Sequence, residues 1–411
     1  MMMRRLITRG LITRAVGLVS AAALCACGSG ASSGTSGGNA PYRVLALIAL
    51  SGPSALDGKA EEVGVKAAVT VVNQHGGILG HPVALTVVND NGDPTTALTD
   101  VTQAIDGSSP PDLVLAGTDG AETDAVTPLL AQHKVLSIQP TIATRSYSPS
   151  YAPYNFSDTA TASALSTAFA QGAISRSGAK TVGILLPDNA LGTLSGAPEE
   201  AVLNHAGVKY YVATYPAGGT DFSPELLRLK SDNVQALLAT GLGTDAATIM
   251  TSRAKIGWNV PLYGDGTVAT SNVGALVPAA DLANVQVFAF PVEKYVPRAQ
   301  RTSAFNTFFS AVQKQNGGPL SLAIYAYSAE YDVLPLVQLA AKQAGSLATA
   351  AIANALLKLP AQPQGRLYVT FPAEQFSVND HALALGNNYT FVSPRPAATD
   401  GLFEVPSGVT P

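Results

Sequence analysis

The sequence predicts an α/β fold made of two doubly wound lobes, each with a parallel sheet covered by helices. From residue 42 onward, short apolar stretches alternate with amphipathic stretches, which is the pattern of repeated βα units. The alternation occurs in two series, separated at 147–158 by a segment rich in Pro, Ser and Tyr. The body after residue 40 has about 370 residues, which is more than a single hydrophobic core usually contains.

The first series carries the pattern of a sheet with helices between its strands. It predicts strands at 44–50, 83–89, 113–116 and 135–138, and helices at 54–74 and 94–106. Gly76 and Gly77 follow the first helix where a positive φ is needed to end it, and Gly80 allows a tight return into the next strand. We therefore expect these glycines to shape the fold, not to bind a ligand.

The second series repeats this pattern after a hinge, which we place near Asn155. It predicts strands at 181–186, 208–215, 234–240 and 262–264, each beside a helical pattern. A long helical region follows at 298–315 and 321–359, and the sequence Asn-Gly-Gly-Pro at 316–319 interrupts it as a strong helix breaker. From residue 366 the pattern is again that of strands.

The amino terminus predicts export and a lipid anchor. Four arginines precede an apolar run at 15–24. This is the pattern of a signal peptide, and the apolar run is short for a membrane span. The sequence Leu-Cys-Ala-Cys at 24–27 resembles the lipobox of bacterial lipoproteins, in which Cys27 is acylated and becomes the first mature residue. Cys25 does not fit, because Leu24 would then hold a position that needs a small residue. A secreted protein without lipid and an uncleaved anchor are the alternatives.

The composition narrows the class of protein further. We expect a signal peptide at 1–26 and, at 27–40, a lipidated cysteine with a flexible tether of mostly Gly, Ser, Ala and Thr. The chain has 2 cysteines, so removal of one and acylation of the other leaves none for a disulfide. A net charge of -4 without basic clusters after the signal peptide argues against nucleic acid as a partner.

Enzymatic signals are weak. The 5 histidines have no metal-ligand spacing, and the chain has no Gly-x-Ser-x-Gly elbow, so we expect no metal, no cofactor and no catalytic residue. The sequence Gly-Leu-Gly-Thr-Asp-Ala at 241–246, with Asp265 some twenty residues later, imitates a dinucleotide-binding fingerprint. It lies in the middle of an exported chain and not in a first βαβ unit, so a nucleotide cofactor is not expected.

Several short motifs occur in a characteristic order along the chain. They are Ser-Gly-Pro at 51–53, Asn-Gln-His-Gly-Gly-Ile-Leu-Gly-His-Pro at 73–82, Asp-Asn-Gly-Asp-Pro at 90–94, Ala-Gly-Thr at 116–118, Ser-Ile-Gln-Pro-Thr at 137–141, Gly-Thr-Asp-Phe-Ser at 219–223 and Tyr-Asp-Val at 331–333. Together they resemble the branched-chain amino-acid binding proteins, a family of type I periplasmic binding proteins. The resemblance covers nearly the whole mature chain.

This resemblance implies a Venus-flytrap, in which two lobes joined by a three-crossover hinge close on a ligand. It places the crossovers near Asn155, Phe288 and Phe371, with lobe 1 at 41–155 plus 289–370 and lobe 2 at 156–288 plus 371–411. It also implies that a monomer, held on the extracytoplasmic side of the membrane, delivers a small solute to the permease of an ABC transporter. A ligand-sensing receptor module is the alternative, because the same fold serves both roles.

The resemblance also indicates where the ligand lies. Relatives hold an amino-acid carboxylate with hydroxyls and amides of lobe 1, and an acid of lobe 2 receives the ammonium group. Here Gly120 stands where a hydroxyl is usual, Ala143 aligns with the carboxylate-binding threonine unless the alignment slips to Thr144, and Asp265 matches the acid. The expected ligand-binding residues are Ser51, Asp57, Thr118, Asp119, Gly120, Ala121, Thr141, Ala143, Thr144, Leu191, Asp265, Tyr325 and Tyr327.

The replaced residues suggest a ligand other than leucine, isoleucine or valine. Asp57 and Leu191 stand where aromatic residues are frequent in the family, and Tyr325 and Tyr327 offer replacements. With Asp119 and Asp265, Asp57 predicts an acidic cleft suited to a cation, a polyol or an amide. The alternative is that Asp57 and Asp119 cap helices, and that the threonines at 141 and 144 serve only their turn.

Overall fold

The computed structural model describes residues 39–52, 54–141, 143, 147–360, 363, 365–370, 376–386, 388–395 and 400–403. The predicted signal peptide, Cys27 and most of the tether lie outside the described residues, as do Thr144 and Phe371. None of the helices in the described part of the chain is both long and apolar enough to cross a membrane.

The first sheet has five strands, all of them parallel to their neighbours. They are β1 (Tyr42–Ile48), β2 (Val83–Asn89), β3 (Leu113–Ala116), β4 (Leu136–Gln139) and β5 (Asn155–Ser157), in the order β2-β1-β3-β4-β5. Val44 of β1 pairs with Leu85 of β2 on one side and with Leu113 of β3 on the other. Helices cover both faces of such a sheet, which is why its inner strands are continuous apolar runs. The intervening helices are α1 (Ala55–Gln74), α2 (Pro94–Asp106) and α3 (Gly120–His133).

The second sheet has six strands. They are β6 (Thr181–Pro187), β7 (Lys209–Tyr215), β8 (Ala236–Ala239), β9 (Leu262–Gly264), β10 (Val285–Ala289) and β11 (Thr390–Val392), in the order β11-β10-β9-β8-β6-β7. Its helices are α4 (Ala162–Ser177), α5 (Ala190–His205), α6 (Ser223–Ser231), α7 (Thr244–Lys255), α8 (Gly266–Thr270) and α9 (Val273–Leu276). The sequence predicts only parallel pairs, but β11 runs antiparallel to β10 because the chain returns to this edge from the other sheet.

Three further helices complete the first lobe. They are α10 (Ser303–Asn316), α11 (Tyr325–Ala344) and α12 (Thr349–Leu356). The helical region expected at 321–359 consists of two helices, because Gly345 takes a left-handed conformation with φ of 60° and ends α11. We define lobe 1 as the first sheet with α1–α3 and α10–α12, and lobe 2 as the second sheet with α4–α9. Three short 3-10 helices occupy Ala279–Leu282, Pro291–Glu293 and Arg298–Gln300.

Helices α1 and α11 lie side by side in lobe 1. The Cα of Gly64 faces the carbonyl of Tyr327 so closely that an added Cβ would lie 2.2 Å from the carbonyl oxygen. Further along α11, Gln338 Nε2 donates to the carbonyl of Gly77, just after the end of α1, at 2.8 Å. The contacts advance in the same direction along both helices. The two helices therefore run parallel and start at the same end of the lobe.

The chain passes between the two sheets three times. The first crossover (residues 158–161) joins β5 to α4, and the second crossover (residues 290–302) joins β10 to α10. The third crossover lies between Ala382, which pairs with Ser157 at the edge of the first sheet, and Thr390, where the chain enters the second sheet. His381 stacks on Phe156 beside this bridge, with ring centroids 4.2 Å apart.

Candidate functional site

Three loops of lobe 1 meet at one edge of its sheet. They follow the carboxyl ends of β1, β2 and β3, and parallel strands bring such ends together, where ligands bind in open α/β sheets. The Ala49 amide donates to Thr118 Oγ1 at 2.9 Å, and the Leu50 amide donates to Asn89 Oδ1 at 2.9 Å. These two bonds fix the loop after β1 to both of its neighbours.

Ser51 lies exposed at the rim of this edge. Its Oγ accepts a hydrogen bond from Asn89 Nδ2 at 3.0 Å and donates to Asn91 Oδ1. Both partners belong to the β2 strand and the turn that follows it. The Ser51 hydroxyl is therefore held by the protein itself, while the backbone around it stays open to solvent.

The first turns of α1 carry two carboxyls on one face. Asp57 and Glu61 are four residues apart, a spacing at which two like charges repel. Glu61 Oε2 accepts a hydrogen bond from Thr118 Oγ1 at 2.7 Å. Burial and the charge of Asp119 raise the pKa of Asp57 to about 6. Burial, together with neighbouring carboxylates, raises the pKa of Glu61 well above its ordinary value.

The start of α3 adds two more carboxyls. Asp119 is the N-cap residue, and Ser54 Oγ donates to its Oδ2 at 2.6 Å. The Asp119 amide in turn donates to Glu122 Oε2 at 3.1 Å. Burial, with smaller effects of Asp90 and Asp119, raises the pKa of Glu122 to about 7. Gly120 and Ala121 form the first turn of the helix beside these groups, and Ala121 is exposed.

The loop after β4 contributes little that is polar in the described residues. Thr141 is partly buried, Ala143 is buried, and Thr144 lies outside the described residues. The alignment choice between Ala143 and Thr144 therefore stays a prediction. Because β4 lies next to β3, this loop belongs to the same edge of the sheet as Thr118.

Lobe 2 places Asp265 at the start of α8. Its Oδ1 accepts from the amides of Thr267 at 3.1 Å and Val268 at 3.2 Å, and from Thr267 Oγ1 at 2.6 Å. Burial outweighs these hydrogen bonds and raises the pKa of Asp265 to about 6. Asp265 thus caps a short helix, and all three of these bonds go to one carboxylate oxygen.

A second acid of lobe 2 lies close to Asp265. Glu199 on α5 is 1% exposed, and burial and then the charge of Asp265 raise its pKa well above the ordinary value. Leu191, which the sequence also predicts as a ligand residue, lies partly buried in the first turn of the same helix. Lobe 2 is therefore acidic where it carries the predicted site residues.

The two predicted tyrosines have different surroundings. Tyr325 donates its hydroxyl to Thr159 Oγ1 at 3.1 Å, and its ring packs 4.6 Å from that of Phe290, so it contacts the first and second crossovers. Tyr327 is 2% exposed, and its hydroxyl accepts from the Ser321 amide at 3.3 Å. Tyr327 therefore presents almost no surface to a solute in this conformation.

The structure brings some of the predicted residues together. Ser51, Asp57, Thr118, Asp119 and Gly120 gather at one edge of lobe 1, whereas Asp265 and Leu191 belong to lobe 2.

Three acids that lie beside the predicted site residues were not predicted from the sequence, namely Glu61, Glu122 and Glu199. Two of them had a local signal: Glu61 follows Asp57 by one helical turn, and Glu122 follows the cap Asp119 by three residues. Glu199 had none, because its burial depends on tertiary packing.

The site carboxyls Asp57, Asp119 and Asp265 form no salt bridge with a basic side chain among the described residues. The salt bridges there join Lys66 to Glu62 and Lys255 to Asp221, and neither involves the site. No group of three or more His, Cys, Asp or Glu in the described ranges is arranged to hold a metal ion. An organic cation or a set of hydroxyl donors is the complementary partner for such carboxyls.

Two α/β lobes joined by crossovers, with polar loops at the carboxyl ends of the strands, define the class of two-lobed solute-binding proteins. The sequence profile described as Periplasmic binding protein matches residues 41–392, and the chain belongs to this family. Members of this family are solute-binding proteins and not enzymes. A comparison with curated proteins finds no match.

Solved structures have the same fold. A periplasmic binding protein type 1 from Bordetella pertussis is 19% identical, with 86% of this chain and 96% of that chain covered and a TM-score of 0.72. The branched-chain amino acid substrate-binding protein LivJ from Streptococcus pneumoniae, solved with isoleucine, is 18% identical, with 84% and 93% covered and a TM-score of 0.69. A fatty acid ABC transporter substrate-binding protein from Thermomonospora curvata is 17% identical, with 89% and 91% covered and a TM-score of 0.71. Such identities establish the fold alone.

Proposed function

We propose that the protein is the extracytoplasmic substrate-binding protein of an ABC transporter and that it binds a small polar solute, an amino acid or a related compound, between its lobes. The observation that carries the proposal is the set of carboxyls at the strand ends, Asp57 and Asp119 in lobe 1 and Asp265 in lobe 2. Each lobe supplies hydrogen-bond acceptors, so a solute with several donors or a positive charge would bridge the lobes and favour closure.

The negative charge of the lobe 1 carboxylates indicates which chemical groups a solute can present to this lobe. An anionic group about 6 Å from one of these carboxylates would be repelled by about 3 kcal/mol at an effective dielectric constant near 20. Gly120 supplies no hydroxyl to offset that repulsion, although its amide lies at the helix start. We therefore infer that the solute presents an ammonium, amide or hydroxyl group to lobe 1.

The substitution Asp265→Asn tests the role of lobe 2. We expect it to weaken binding of the solute about 10- to 100-fold, because a charge-assisted hydrogen bond contributes about 1.5 to 3 kcal/mol. The solute is first identified by a thermal-shift screen of amino acids, polyamines, amides and sugars, since occupancy raises the unfolding temperature. Asp232→Asn, at the end of α6, is the matched control. Unchanged affinity of Asp265→Asn would remove this residue from the site, and a tightly bound leucine would contradict the acidic cleft.

The substitution Cys27→Ser tests the anchor. We infer that a lipid on Cys27 and a tether of about a dozen residues hold the monomer near its permease. Cys27→Ser should move the protein from the membrane to the soluble fraction and abolish labelling by a fatty-acid analogue. Cys25→Ser is the control and should remain membrane-bound. Release of both variants, or of neither, would show that Cys27 is not the anchor.

A further inference from the structure

Two buried carboxyls and one partly buried carboxyl lie where α1, α11 and the first crossover come together. Glu61 belongs to α1, Glu330 to α11, and Asp158 follows β5 directly. The close approach of the two helices at Gly64 brings Glu61 and Glu330 near enough for the charge of Glu61 to raise the pKa of Glu330. The charge of Asp158 acts on Glu330 in the same direction.

Two of these carboxyls are almost inaccessible, and three of their four oxygens have no hydrogen-bond partner among the described residues. Glu330 is 1% exposed, and its Oε2 has no partner. Asp158 is 3% exposed, and neither of its carboxyl oxygens has one. An ionised carboxylate in this environment costs several kcal/mol, so the protonated form is the one that fits the packing. Burial accordingly raises the pKa of both groups well above the ordinary value.

The neighbouring charges increase the preference of these carboxyls for the protonated form. Asp332 on α11 accepts hydrogen bonds from the amides of Val369 at 2.8 Å and Thr370 at 2.6 Å, and its charge raises the pKa of Asp158. Burial raises the pKa of Asp332 itself to about 7, and the charge of Arg366 offsets part of that rise. The titratable groups that act on Glu61 from α1 and α3 are all acids, namely Asp57, Asp119 and Glu122.

The same region joins the two lobes mechanically. Asp158 precedes Thr159, which accepts the hydrogen bond of Tyr325 in the first turn of α11. Just before that turn, the Ala323 amide donates to the carbonyl of Thr270 at 3.3 Å, at the end of α8 in lobe 2. A change at the junction of Asp158 and Glu330 would therefore act on the parts of the chain about which the lobes rotate.

We propose that Glu61, Glu330 and Asp158 form a proton-operated latch, which holds the first crossover against α11 while its carboxyls are protonated and releases it when they ionise. Loss of a proton leaves like charges in a buried space, and rotation of the crossover admits the water that solvates them. The proton goes to solvent, and no other group is transferred. The latch goes beyond solute capture, because it operates without any solute.

A distance measurement between the lobes tests the latch. Spin labels at Thr99→Cys on α2 and Thr251→Cys on α7, in a full chain carrying Cys25→Ser and Cys27→Ser, report the separation of the lobes by pulsed electron paramagnetic resonance. Between about pH 5 and pH 9 we expect a second distance population whose share rises about tenfold per pH unit for each proton released. The double variant Glu330→Gln, Asp158→Asn should keep the low-pH distribution throughout, because its amides cannot ionise.

Controls separate the latch from a general effect of pH. Glu62→Gln changes the neighbour of Glu61 on the outer side of α1, where Glu62 pairs with Lys66 at 2.6 Å, and should respond to pH like the parent. Should the double variant not fold, Glu61→Gln alone should reduce the response. Infrared spectra supply a second readout, since the carbonyl band of a protonated carboxyl should weaken in Glu330→Gln. A pH-independent distance in the parent, or an unchanged response in the variants, overturns the proposal.

Discussion

Gly64→Ala will lower the free energy of unfolding by about 2 kcal/mol or more. The added Cβ would lie 2.2 Å from the carbonyl oxygen of Tyr327, and backbone cannot move aside as a flexible side chain does. Overpacking of this kind costs about 3 kcal/mol, whereas alanine gains only about 1 kcal/mol over glycine in helix propensity. The steric cost therefore outweighs the gain. Denaturant unfolding, with its midpoint and slope, measures the difference.

Gly318→Ala is the matched control for that substitution. A Cβ at Gly318 meets no heavy atom within 4 Å, and the residue lies in the turn after α10. Its stability should stay within about 0.5 kcal/mol of the parent. Equal stability of Gly64→Ala and the parent would mean that α1 and α11 are not in the contact described, and the latch would lose its geometric basis.

Raising the pH from about 5 to about 9 will destabilise the protein, and Glu293→Gln will remove much of that effect. Burial in the second crossover raises the pKa of Glu293 to about 8, while its amide partner, the backbone of Phe290, offsets only part of the shift. The folded state thus binds a proton that the unfolded state releases near its ordinary pKa. The stabilisation is complete at low pH and is lost as the pH rises through the folded-state pKa.

The size of the expected loss of stability follows from the pKa shift of Glu293. Each pKa unit corresponds to about 1.4 kcal/mol, so Glu293 alone accounts for a loss on the order of 3 to 5 kcal/mol. Glu122, with a pKa raised to about 7, adds to it. Thermal unfolding across the pH range should show a smaller slope for Glu293→Gln than for the parent and the control Glu62→Gln. Stability that rises with pH in the parent would contradict the protonated state of Glu293.

Much of the fold was predictable from local patterns. The strands β1, β2 and β3 have the expected lengths, β1 and β3 are buried apolar runs, and the glycines after α1 have the positive φ values that their turn requires. The short strand β5 was expected only as a hinge near Asn155, and β11 only as part of the strand pattern after residue 366. Their place depends on neighbouring strands, as the pairing of Ser137 with Asn155 shows.

The candidate site was predictable only in part. Asp119 was weighed as a helix cap and does occupy an N-cap position, while Asp57 lies in a first turn. Both readings follow from sequence neighbours, because capping is a contact over three or four residues. The meeting of α1 with α11 was not predictable in this way, and the hydrogen bond from Thr118 to Glu61 also joins two separate elements.

The sequence by itself determined the order of βα units, the family motifs and the surplus of acids near strand ends, because these depend on residues close together in the chain. The tertiary structure alone decided which acids are buried, and it placed Glu330 beside Glu61 and Asp158 beside the hinge. The physical reason is that desolvation and charge repulsion depend on distance in space. Residues far apart in sequence contribute to them only after the two helices and the crossover have packed.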